Sequence, residues 1–365
     1  MKIAVISTTT YSTPPLAYGG EIFFWHLARG LCELGHDVTL YAAPGSLPPH
    51  PNNCRCRLRY IPGTYGEIDL ARSFAIAEWF YPEIMANDFV LDAEHLHTVA
   101  EWAAFYYRTD QKKIIVILNG ATSNTPRGGP YNVVVGSQYW RQLLLMGRNE
   151  YFGTQFAHLG TSIRPLKEED ILEVVPWSSD GNFYTPEGQK DDYFLWISHP
   201  APYKGLPQAL EVAAKQKLRL VVVPGLAAAS HRKDWEALQP LIEKANAAGA
   251  KVETVLLPLN SHHHSLKRDL YRKARALLFP VQRHEAFGLV VIEALLCGTP
   301  VITSRMGAMP EIIKNGETGF MCRDIDELCE ATQKVGTLSP ETCRTDAMAR
   351  FHYRTAAEAY VKLMT

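Results

Sequence analysis

Two kinds of apolar pattern alternate along the chain. Ile3-Ala4-Val5-Ile6 is a short unbroken apolar run, which predicts a buried strand. Residues 21–34 place Phe24, Leu27, Ala28 and Leu31 on one face of a helix, and Gly35 stands where a helix commonly ends. Val38 to Ala42 predicts the next strand. A strand, a helix and a strand in this order imply a right-handed crossover within a parallel sheet. Residues 114–118 and 132–135 predict further strands of that sheet.

The alternation restarts in the second half. Strands are predicted over 193–197, 218–223, 252–257, 276–279 and 300–303, with helices over 206–214, 234–248, 266–274 and 289–296. Residues 178–192 carry Gly181, Pro186 and Gly188 among polar residues and read as a linker between two doubly wound domains. The length of 365 residues agrees with two domains. Domains are expected at 1–180 and 181–349, with 350–365 a terminal helix packing back on the first.

Composition narrows the classes. Hydrophobic residues make up 47% and charged residues 21%, a globular profile that excludes chain-wide disorder. The formal net charge is -1, without the basic excess of a nucleic-acid-binding protein. No apolar run reaches the ~18–20 residues of a membrane-spanning helix. Met1 to Ser7 reads as a strand and not as the apolar core of a signal peptide. Seven cysteines at irregular spacing suggest reduced thiols and a cytoplasmic protein.

The block from Arg283 to Ile302 carries the densest chemistry. A strand leads into a loop and the loop into a helix starting near Gly288, whose first amides are free to meet an anion such as a diphosphate. Glu285 and Glu293 bracket this helix start. A carboxylate accepts two hydrogen bonds side by side, which suits the paired hydroxyls of a sugar or a ribose. The first strand is followed by no G-x-G-x-x-G, and the chain has no G-x-x-x-x-G-K-[ST], so a nicotinamide dehydrogenase and a P-loop NTPase are disfavoured.

This block resembles the E-x7-E signature of glycosyltransferase family 4, the retaining, nucleotide-sugar-dependent enzymes of GT-B fold. Tyr18-Gly19-Gly20-Glu21 resembles the glycine-rich loop of that family, and Gly35-His36-Asp37-Val38-Thr39 the turn after its first helix. His199, Lys204 and Gly205 stand where the family has an arginine and a Lys-Gly pair. Residues 307–312 and 315–320 resemble its downstream turns.

The resemblance implies an α/β protein of GT-B fold, with two doubly wound Rossmann-like domains facing a central cleft. It implies a hexosyltransferase with no prosthetic group or metal and a nucleotide-diphosphate sugar of UDP or GDP type as co-substrate. Gly19, Gly20, His199, Lys204 and the backbone at Phe287, Gly288 and Leu289 are implied at the diphosphate. Glu285 is implied at the donor sugar and Glu293 at the ribose hydroxyls. The acceptor would be a glycan, a lipid-linked molecule or a small molecule. For lipid-linked acceptors, the aromatic and basic stretches 102–113 and 139–148 offer weak contact with the inner membrane face; the alternative is packing on the N-terminal sheet.

Three departures bear on activity. His199 replaces an always-charged guanidinium with a ring that is neutral through much of the physiological range, with Arg283 nearby as a substitute. Asn119, in Ile117-Leu118-Asn119-Gly120, takes the place of a histidine by the donor sugar and cannot titrate. Pro176 to Asp180 keeps the proline and aspartate of the family's inter-domain motif without its turn dipeptide. His95 and His97 share one face of a strand end, and His97 is either a site residue or a hydrogen-bonded structural histidine. The triple 262–264 cannot converge on one ion from a regular element and reads as a loop before a helix. The competing functions are a nucleotide-sugar epimerase or hydrolase of the same fold and a catalytically weak sugar-nucleotide-binding protein.

Overall fold

A computed structural model describes residues 1–7, 19–49, 56–61, 83–84, 86–92, 114–118, 132–146, 167–226, 229–258, 263–283 and 285–365. The chain divides into two compact units, Met1–Ser178 with Tyr353–Thr365, and Ser179–His352.

The first unit is built on β1 (Lys2–Ile6), α1 (Gly19–Glu33), β2 (Asp37–Ala42), β3 (Cys56–Tyr60), β4 (Phe89–Asp92), β5 (Ile114–Leu118), β6 (Asn132–Val135), α2 (Gln138–Leu145) and β7 (Ile171–Val174). Its seven strands are parallel and run β3-β2-β1-β4-β5-β6-β7. Ile3 to Ile6 and Val133 to Val135 are buried, as their unbroken apolar runs require. Strand β3 alternates charged and apolar residues at the sheet edge, a pattern that tolerates water on one face.

The second unit continues with β8 (Phe194–Ser198), α3 (Leu206–Gln216), β9 (Arg219–Pro224), α4 (Ala229–Ala247), β10 (Lys251–Thr254), α5 (His263–Lys273), β11 (Ala276–Phe279), α6 (Leu289–Leu296), β12 (Val301–Ser304), α7 (Met309–Ile312), β13 (Gly319–Cys322), α8 (Ile325–Lys334) and α9 (Pro340–Phe351). Its six strands are also parallel, in the order β10-β9-β8-β11-β12-β13. Helix α6 is apolar around nearly its whole circumference, and Val291 to Leu296 are all buried.

The last helix, α10 (Tyr353–Leu363), belongs to the first unit and packs on α1. A Cβ at Gly30 would lie 2.7 Å from that of Ala357, so the glycine lets the two helices approach. The Tyr353 hydroxyl donates to the Glu33 carboxylate at 2.9 Å. Of residues 178–192, expected as a linker, Ser178 belongs to the first unit and 179–192 to the second, so the division falls at the start of the segment and the rest packs within the second unit. Tyr184 is 2% exposed, and the Arg344 guanidinium donates to the carbonyls of Gly181 and Tyr184. A polar, glycine-bearing segment looks like a linker in sequence because its tertiary hydrogen bonds leave no periodic trace.

Candidate active site

The six-stranded sheet has one switch point. From β8 the chain winds outward through β9 and β10, then returns to β11 and winds the other way. Ligands of open parallel sheets sit outside the carboxyl ends of the strands at such a point. The loops after β8, β11 and β12 meet there.

After β8 the chain passes His199 and makes a short helical turn, Pro202–Lys204. The Trp196 indole donates to the Lys204 carbonyl at 3.1 Å and ties this turn to its strand. Gly205 follows in the left-handed region at φ 78° and opens α3. A Cβ there would meet the Pro280 carbonyl oxygen at 2.0 Å, so only glycine lets the turn lie against the β11 loop. The Gln282 amide donates to the Tyr203 carbonyl at 2.8 Å and completes that contact.

Across this contact the Lys204 ammonium pairs with the Glu285 carboxylate. Both side chains are largely buried, at 9% and 12% exposure. The ammonium also lies 5.2 Å from the centre of the Tyr203 ring. The β12 loop holds Glu285 from the other side. Gly307 is left-handed at φ 60°, and a Cβ there would meet the Glu285 carbonyl oxygen at 2.5 Å. The Ala308 amide donates to that carbonyl at 2.9 Å.

Phe287 is buried, with its ring edge-on to Phe351 at 5.9 Å. Gly288 caps α6; the Val291 amide donates back to the Gly288 carbonyl at 3.0 Å, while the amides of Leu289 and Val290 open the helix with no preceding turn to accept from them. A cation, a carboxylate and the opening amides of a helix are therefore grouped within one loop cluster.

His199 accompanies them in a different state from a guanidinium. Its Nε2 is 2.9 Å from the Tyr203 hydroxyl, and its ring stacks on that of His231 at 4.8 Å. Burial, then the Lys204 charge and His231, push its pKa down to about 2. The ring is neutral at physiological pH and can offer a hydrogen bond but no charge. Arg283 is exposed.

Glu293 lies deeper, at 2% exposure. Its Oε1 accepts from the Lys267 ammonium at 2.9 Å and its Oε2 from the Tyr271 hydroxyl at 3.0 Å. Lys267 and Tyr271 sit one helical turn apart on α5. Neither residue belongs to a motif of the sequence. Their one signal was four-residue spacing on an otherwise polar helix. Burial, followed by the Glu293 charge, holds the phenols of Tyr271 and Tyr184 well above their usual range.

Gly19 and Gly20 form the first turn of α1 in the other unit. His97 and Asn119 lie outside the described residues.

Residues 183–343 match the family model for the glycosyl transferases group 1. N-acetyl-alpha-D-glucosaminyl L-malate synthase of Bacillus anthracis is 40% identical over 65 residues, 18% of this chain and 17% of that protein. The chain covers less than half the length of the curated relatives it matches first. Among solved structures, sucrose-phosphate synthase of Thermosynechococcus elongatus superposes with a TM-score of 0.70 at 18% identity, over 99% of this chain and 98% of that one. HepE of Anabaena in complex with UDP-glucose gives 0.69 at 16% identity, over 99% and 98%. The expected GT-B architecture is borne out by these superpositions, and residues 183–343, which hold every side chain of the cluster, carry the pattern of the glycosyl transferases group 1.

Proposed function

We propose that this protein is a retaining glycosyltransferase of family 4 that moves a sugar from a nucleotide-diphosphate sugar to an acceptor hydroxyl. The observation that carries the reading is the Lys204–Glu285 pair beside the first turn of α6. A diphosphate needs a cation and free amides, and a sugar needs a carboxylate that accepts from its hydroxyls. These groups stand together at the switch point of the sheet.

In the reaction the bond between the anomeric carbon and the diphosphate oxygen breaks, and a bond to the acceptor oxygen forms on the same face. The acceptor proton passes to the departing phosphate, so the enzyme supplies no titrating base. Lys204 and the α6 amides stabilise the charge left on the nucleotide diphosphate. Glu285 holds the donor sugar through its hydroxyls. Gly19 and Gly20 are assigned to the diphosphate, and His97 and Asn119 to the sugar, on the family resemblance. The UDP-glucose bound by the Anabaena neighbour favours a UDP-sugar donor. The acceptor is assigned to the N-terminal residues 1–180.

Thermal shift against a panel of UDP- and GDP-sugars, followed by nucleotide release with candidate acceptors, tests this reading. Stabilisation by one nucleotide sugar and acceptor-dependent release with an unchanged anomeric configuration are expected. Inversion would remove the retaining assignment. A changed sugar without any acceptor would mark an epimerase. The neutral His199 favours a second reading, a binding protein of weak activity, for which nucleotide would bind without being released.

A further inference from the structure

Both carboxylates of the E-x7-E block are paired with a lysine, and the second lysine belongs to no motif. Lys267 is 8% exposed. Its ammonium meets Glu293 Oε1 at 2.9 Å and lies 5.7 Å from the centre of the Tyr184 ring. Tyr271 holds Oε2, and its ring lies 6.1 Å from that of Tyr184, edge-on. The Glu293 carboxylate is thus fixed at both oxygens.

The Tyr184 hydroxyl faces the same carboxylate as a third donor, and of about four acceptor sites these three leave a part to a ligand hydroxyl. A buried carboxylate needs a counter-charge, and Lys267 supplies it. To receive a vicinal diol the carboxylate must also not rotate, and the ammonium on one oxygen and the phenol on the other fix its plane. The ammonium also lessens the repulsion that a carboxylate would exert on an approaching diphosphate.

We propose that Lys267 is a positioning residue that sets Glu293 to read the vicinal 2′- and 3′-hydroxyls of the donor's ribose. The inference rests on the nucleotide-sugar reading above. It assigns to α5 a share in recognition and predicts that discrimination between ribose and deoxyribose depends on a side chain 26 positions away from the glutamate.

The test is calorimetric titration of UDP against 2′-deoxy-UDP, and of GDP against 2′-deoxy-GDP. It uses the wild-type chain, Lys267→Met and Lys267→Arg, with a melting curve for each. The wild type is expected to prefer the ribonucleotide by about tenfold, the worth of one well-placed charged hydrogen bond. Lys267→Met is expected to lose most of that preference, and Lys267→Arg to keep it. Tyr271→Phe, which removes a single hydroxyl, is expected to lower it about threefold and keeps the question answerable if Lys267→Met fails to fold. An unchanged ratio in Lys267→Met, or in Tyr271→Phe where only that variant folds, overturns the positioning role. Binding of both sugars equally by the wild type removes ribose recognition, and binding of no nucleotide at all removes the donor reading beneath it.

Discussion

The two lysine–glutamate pairs of the second unit have the same charges in different settings. Lys204 and Glu285 meet between two loops that leave the ends of β8 and β11. Lys267 and Glu293 meet between two helices, α5 and α6, with the Tyr271 hydroxyl on the same carboxylate. Loop-borne partners can separate to admit a ligand without disturbing a helix interface. Helix-borne partners cannot, because separating them means opening the interface of α5 and α6, and the Tyr271 hydroxyl on the same helix holds the other oxygen of Glu293. The first pair is therefore suited to exchange its partners for a substrate, and the second to hold its geometry throughout.

The largest expected effect falls on the exchangeable pair. Glu285→Gln should lower transfer by about 1000-fold, as removal of a group that acts at the reacting centre does. Affinity for the bare nucleoside diphosphate should stay within about threefold, because Lys204 remains and is released from its partner. Steady-state kinetics beside calorimetry separates the two quantities. A parallel loss of both would show that the pair is structural and would erase the contrast.

The fixed pair should respond in stability. Glu293→Gln leaves the Lys267 ammonium buried without a counter-ion and should cost on the order of 3 kcal/mol in chemical denaturation. Nucleotide affinity should fall with it. An unchanged midpoint, or equal nucleotide affinity in wild type and variant, would contradict the fixed setting or the ribose assignment respectively.

A third substitution perturbs one pair without touching the other. Gly307→Ala places a methyl against the Glu285 backbone, at a left-handed position that disfavours any side chain. About 2 kcal/mol of strain is expected there. Transfer should fall, while discrimination between ribose and deoxyribose should survive. Loss of that discrimination would couple the two sites.

How far the sequence carries also differs between the pairs. Lys204 and Glu285 were legible because each follows a strand and stands in an ordered motif. The predicted strands at 114–118, 132–135 and 276–279 and the helix at 289–296 match the structure end to end, since unbroken apolar runs and a capping glycine mark them. Lys267 was not legible. One lysine in Lys267-Arg268-Asp269 looks like any solvated charge, and only the packing of α5 on α6 turns it inward. Edge strand β3 was missed for a related reason, since its arginines break the apolar run by which buried strands are found. His199 was visible as a departure, but its neutral state depends on burial, then on the Lys204 charge and on His231, over 30 residues away.

The smallest effect concerns that histidine and sharpens the account of the first pair. In the folded chain its pKa lies far below the ordinary value of about 6.5, with burial the main cause and Lys204 and His231 adding to it. His231 is lowered too, chiefly by burial, although Asp234 opposes the shift. Below about pH 6.5 the unfolded chain takes up a proton at residue 199 that the folded chain refuses, so stability falls as the pH drops. Above that value the group is neutral in both states and contributes no slope. Between about pH 7.5 and pH 5.5 the wild type should lose on the order of 1 kcal/mol more than His199→Asn, which keeps a hydrogen bond but cannot titrate. Denaturation curves at the two values decide it. Equal losses would mean that the ring charges freely in the folded state and can act as a phosphate cation. The expected difference leaves Lys204 as the charge that the β8 loop offers to a diphosphate, and explains why its pairing with Glu285 matters more here than it would beside an arginine.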